Sequence, residues 1–125
     1  MDREWTEVEK DAVFELTSES GIEGVGHCFY CWVNLKRYMH GEGKEKPYPN
    51  FSWEIDHCDP NGGENLNNLV PACCDCNRTK CDKYSEKEFL EIKKGERSMR
   101  GGPENPRLIP VSKKYIDEIM KKYNL

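Results

Sequence analysis

The residues of this 125-residue chain best suited to chemistry lie between positions 28 and 80. Cys28-x-x-Cys31 and Cys73-x-x-Cys76 are two equally spaced cysteine pairs. A gap of two residues lets a tight turn aim both thiolates at one ion, and two such turns complete a tetrahedron around structural zinc. The same residues have other uses: paired disulfides, a redox Cys-x-x-Cys, or Cys74 in place of Cys73 at a one-residue gap. His27 adjoins the first pair and offers an imidazole, although packing suits it better as a role. Cys58, Cys74 and Cys81 are left over and are expected to be small buried hydrophobes.

Between the pairs lies Ile55-Asp56-His57-Cys58-Asp59-Pro60, then Gly62-Gly63, then Asn65-Leu66-Asn67-Asn68-Leu69-Val70-Pro71. Cys76-Asn77-Arg78-Thr79-Lys80 follows. Asp56 is a hard oxygen ligand of the kind that suits Mg²⁺. His57 carries an imidazole able to take a proton from water. Asn77 can lend a neutral oxygen to the same cation. Adjacent strand residues point to opposite faces, so Asp56 and His57 can share a site only where a strand ends or bends. Taken singly, an Asp-His pair reads as a turn and an Asn before a helix as a cap. Their joint order around the cysteine pairs argues for a site.

These elements closely resemble the HNH endonuclease family, the ββα-metal or His-Me finger nucleases. The match is to Asp-His-x-x-Pro, Gly-Gly, Asn-Leu-x-Asn-Leu and Cys-x-x-Cys-Asn-x-x-Lys, with the upstream Cys-x-x-Cys, and it covers residues 26–83. The resemblance implies a metal-dependent endonuclease that hydrolyses DNA phosphodiester bonds. His57 would be the general base, and Asp56 and Asn77 would be the ligands of a catalytic Mg²⁺ or Mn²⁺. Asn68 would orient the His57 ring, with Asn67 as the adjacent alternative. Asn77 fills the final position, where members carry His or Asn. Lys80 would face the phosphate backbone, and Zn²⁺ on Cys28, Cys31, Cys73 and Cys76 would be structural. One such site cuts one strand, so a double-strand break takes a homodimer, a protein partner or two nicks. The rival from another class is a non-catalytic zinc module that binds nucleic acid or protein and keeps the nuclease scaffold.

Composition sets the frame around these residues. Hydrophobic residues make up 36% of the chain and charged residues 34%. So polar a chain has little apolar surface to set against its conformational entropy, and needs a metal, a disulfide or a partner. No apolar run approaches the roughly 20 residues of a membrane span, so no membrane partner is expected. An odd count of seven cysteines without an export signal argues against a disulfide framework. The expected setting is cytoplasmic, in a phage or bacterium. Net charge is −4, but it is uneven. Residues 1–26 carry two basic and eight acidic groups, and residues 77–125 carry thirteen and eight. The second half can therefore turn a basic face to DNA, with Arg78 and Lys80 the first candidates for phosphate contacts and Lys83, Arg97 and Arg100 weaker ones.

The elements that must position these residues read as a small α+β fold: a ββα-metal core stapled by the four-cysteine site, in one domain over 1–125. Helical flanks are expected at 1–20 and 85–125. Thr6 and Glu9 form a capping box ahead of a helix with Val8, Ala12, Val13 and Leu16 at helical spacing. Positions 51–56 alternate as a short strand, and 66–72 is a second apolar segment. A helix is expected from about Cys74 to Lys83. Ser85 and Glu88 cap another, which Gly95 closes. Residues 101–110 read as an extended connection, and 113–123 as a last helix with an apolar stripe.

Overall fold

Helix α1, Glu7–Glu15, begins at the capping box. Thr6 Oγ1 accepts from the Glu9 amide at 3.1 Å, and the Thr6 amide donates to Glu9 Oε1 at 3.0 Å. Two donors that the first turn would leave open are thereby satisfied. Ala12, Val13, Phe14 and Leu16 are buried. Val8, one turn earlier, is exposed because the helix meets the core only with its second half. This is a computed structural model, and it describes residues 5–18, 22–59, 61, 63, 68–104, 106, 121 and 122.

Strands β1 (Val25–His27) and β2 (Asn34–Lys36) form an antiparallel hairpin, with Val25 opposite Lys36 and His27 opposite Asn34. Three residues per strand are too few to show alternation, which is why the sequence suggests only a turn here. The loop from Cys28 to Val33 holds the first cysteine pair, with the Cys28 amide donating to Val33 O at 2.9 Å. Strands β3 (Trp53–His57) and β4 (Leu69–Cys73) form a second antiparallel pair, with Trp53 opposite Cys73 and His57 opposite Leu69. Phe51, expected at the start of β3, lies outside it at φ 69° and is exposed.

Helix α2, Cys74–Lys80, follows β4 without a connecting loop. It stops at Lys80 rather than Lys83 because Cys81 adopts φ 44°, where a right-handed helix cannot continue. Helix α3, Glu86–Ile92, starts at the Ser85–Glu88 capping box. Gly95 does not close it. The break falls at Lys93, and Gly95 lies inside α4, Lys94–Met99. The last helix expected at 113–123 lies outside the described residues apart from Lys121 and Lys122, as does much of the 101–110 connection.

One buried cluster joins these parts. Phe14 of α1 packs on Trp53 of β3 at 5.1 Å between ring centroids, and Tyr30 meets Phe89 of α3 edge-on at 5.0 Å. Arg37 ties the hairpin to α1 through Asp11 at 2.6 Å and Glu7 at 2.9 Å. Among the described residues the architecture is mixed α+β, with two small antiparallel sheets and four α-helices. No helix among them is long and apolar enough to cross a membrane.

Candidate metal centre and the adjacent polar clusters

The hairpin loop and the start of α2 bring Cys28, Cys31, Cys73 and Cys76 together, with all four sulfurs within 4.8 Å of one another. Phe29 in the loop donates its amide to Pro71 O of β4 at 2.9 Å, which registers the two cysteine pairs. Cys73 is the N-cap of α2, and its sulfur accepts from the Cys76 amide at 3.4 Å. A zinc ion with about 2.3 Å Zn–S bonds gives a tetrahedron with sulfur–sulfur edges of about 3.8 Å. Cys31 Sγ and Cys73 Sγ are 3.8 Å apart. The group can hold a metal ion.

The thiols also act on each other. Hydrogen bonds from Cys28, Cys73 and Cys76 hold Cys31 well below the ordinary thiol range, whereas Cys28 and Cys31 push Cys73 and Cys76 up. Only a cation allows all four to ionise together. Cys74 points elsewhere, toward Glu54 Oε1 at 3.9 Å. Cys58 and Cys74 are buried as expected, but Cys81 is exposed at the end of α2. His27 stacks on Trp32 with centroids 4.7 Å apart, a packing role.

The polar residues expected to form one catalytic site fall into separate groups. Asp56 is buried, and its Oδ2 accepts from Tyr30 Oη at 2.5 Å and pairs with Lys80 Nζ at 3.2 Å. Burial pushes the Asp56 carboxyl up from its ordinary range, and Tyr30 and Lys80 pull it back. Burial first, then the charge of Asp56, drives Tyr30 far up, so its hydroxyl stays a donor. Lys80 also donates to His57 O at 3.0 Å and is wholly buried. The phosphate contact expected of Lys80 is therefore corrected: its ammonium is spent inside the fold, on the end of β3.

Asn77 and Arg78 meet a residue that the sequence reading passed over. Asn77 Nδ2 donates to Glu54 Oε2 at 2.6 Å, and Arg78 Nη2 donates to Glu54 Oε1 at 2.8 Å. Glu54 precedes Asp56 by two on β3 and so shares its strand face. That spacing was the available signal. Arg78 also donates to Gly43 O at 2.9 Å and Lys44 O at 3.2 Å, pinning the loop ahead of β3. Its side chain stays 40% exposed while bonded to these protein acceptors. Gly43 permits this approach, since a Cβ there would collide with Cys74.

Asn68 braces a loop. Its Oδ1 accepts from the Asp59 amide at 2.9 Å, and its Nδ2 donates to Asp59 O at 3.0 Å and Gly63 O at 2.8 Å. The expected direct hold on the His57 ring is thus replaced by a hold on the segment that follows it. His57 ends β3, half-buried, with its ring 6.0 Å from that of Trp5. Asp56 bonds Tyr30 and Lys80 whereas Asn77 bonds Glu54, so the two share no partner. No family model matches the chain, and no curated protein or solved structure matches it. The site must therefore be read from its own chemistry.

Proposed function

We propose that this chain is an HNH-type endonuclease that hydrolyses DNA phosphodiester bonds, with Zn²⁺ on Cys28, Cys31, Cys73 and Cys76 in a structural role. The observation that carries the reading is the β3–β4–α2 unit. His57 ends β3, and α2 begins at the cysteine group and runs back along the same sheet. His57 would accept the proton of an attacking water. Asn68 would serve it by fixing the loop beyond Cys58, and Lys80 by holding the His57 carbonyl. Mg²⁺ or Mn²⁺ on Asp56 and Asn77 belongs to the proposal only if Asp56 exchanges Lys80 for the cation. When bound, such an ion would neutralise charge developing on the phosphate.

A non-catalytic zinc module is the second reading, favoured by one observation. Asp56 and Lys80 already neutralise each other inside the fold. Supercoiled plasmid incubated with the zinc-loaded chain and Mg²⁺ or Mn²⁺ separates the two. The nuclease reading expects nicking that His57→Ala lowers about 10²–10⁴-fold, the usual range for a positioned acid–base group, with zinc content unchanged. No cutting with either cation would overturn it in favour of the module.

A further inference from the structure

Arg97, on α4, is buried rather than turned to solvent as a phosphate contact would require. It is 2% exposed. Its Nη1 donates to Tyr30 O at 2.8 Å and Leu90 O at 3.1 Å, its Nε to Pro103 O at 2.9 Å and its Nη2 to Glu104 O at 2.9 Å. All four acceptors are backbone carbonyls, so none of these bonds brings a carboxylate to the positive charge. Tyr30 sits between Cys28 and Cys31. One turn further along, Arg100 Nη1 donates to Cys31 O at 3.0 Å. Arg97 of α4 and Arg100 at its C-cap thus grip consecutive carbonyls of the first cysteine turn. The chain closes over them: Gly102 lies so near Arg97 and Trp32 that any side chain there would collide with both.

Four thiolates around Zn²⁺ carry a net charge of −2. We propose that Arg97 and Arg100 are the counter-cations of this zinc tetrathiolate, so that α4 retains the metal and the metal in turn holds α4. The inference rests on the zinc part of the reading above and not on its nuclease chemistry. Burial pulls the Arg97 guanidinium down from its ordinary range, and charge on Glu91, Cys28 and Cys31 pulls it back up. With the thiols ionised on zinc, Arg97 has its anion. Loss of the metal removes the −2 charge of the site and leaves Glu91 as the acidic charge acting on Arg97, and the linkage is reciprocal. The arginines lie beyond residues 26–83, so the cysteine spacing gives no hint of them.

The test is zinc release from the full zinc-loaded chain to the chromophoric chelator 4-(2-pyridylazo)resorcinol at neutral pH. Arg97→Met is expected to speed release about tenfold to a hundredfold, the range for lost partners of metal ligands. Arg97→Lys, which keeps the charge, should restore part of the difference. Arg100→Gln, at an exposed position that does not threaten folding, should speed release less, and added salt should shrink its effect. Hydrogen exchange of the zinc-loaded chains gives a second readout: Arg100→Gln should raise exchange in 94–102 more than in α1. Release at the wild-type rate from Arg100→Gln together with unchanged exchange in 94–102 would overturn the proposal. So would equal release from Arg97→Met and Arg97→Lys, or less than half an equivalent of zinc in folded wild-type chain.

Discussion

Helix α2 serves two regions that differ in how their residues find partners. At its start, Cys73 and Cys76 converge with Cys28 and Cys31 on one point. One turn later, Asn77, Arg78 and Lys80 spread over β3, and each is already bonded to protein: Asn77 and Arg78 to Glu54, Lys80 to Asp56. Thiols form weak hydrogen bonds and have few competing partners, so four of them close together are matched best by a metal. Carboxylates, amides and cations bond readily to one another, so similar spacing can be satisfied in several ways. A polar cluster near a metal site is therefore weaker testimony to a second ion than a cysteine cluster is to a first.

The largest expected effect breaks the cysteine region. Cys76→Ser should leave the chain unfolded and without stoichiometric zinc, as read by circular dichroism and elemental analysis. Metal binding of about 10–16 kcal/mol in zinc-finger peptides is comparable to the whole net stability of about 5–15 kcal/mol of a domain. A folded Cys76→Ser chain would mean that the apolar core alone holds the structure.

Lys80→Met probes the polar region. The side chains of Lys80 and Asp56 are 0% and 7% exposed, so removing one charge strands the other at a cost of about 3–5 kcal/mol. Denaturant midpoints of the zinc-loaded chain measure it, and adding Asp56→Asn should recover part of the loss. An unchanged midpoint with a weaker salt dependence of DNA binding would return Lys80 to the phosphate-facing role expected from the sequence.

The smallest effect sharpens the contrast at the other end of β3. Burial, with Lys10 and Arg37 nearby, holds His40 down at about 4, and its ring packs edge-on against Trp53 at 4.8 Å. The unfolded imidazole titrates near 6.5, so the unfolded chain takes up a proton first as pH falls. Stability from neutral His40 is complete above pH 6.5 and declines between 6.5 and about 4. His40→Gln should flatten this part of the thermal midpoint against pH while leaving zinc content unchanged. An equal slope in both proteins would assign the acid sensitivity to other groups.

The sequence by itself determined the features that depend on near neighbours. The capping boxes at Thr6 and Ser85 appeared as read because their bonds span three residues. The four-cysteine group followed from two equal gaps, since thiols offer little else to bind. The β3–β4–α2 order was legible from 51–56, 66–72 and 74 onward, although Phe51 lay outside its strand and α2 was shorter than expected. Only the tertiary structure decided which polar groups meet. Glu54 rather than Asp56 takes Asn77, Tyr30 and Lys80 take Asp56, and Arg97 reaches back 67 residues to the first cysteine turn. A charged side chain settles where burial leaves it a partner. That partner is set by packing between distant segments, which local spacing does not encode.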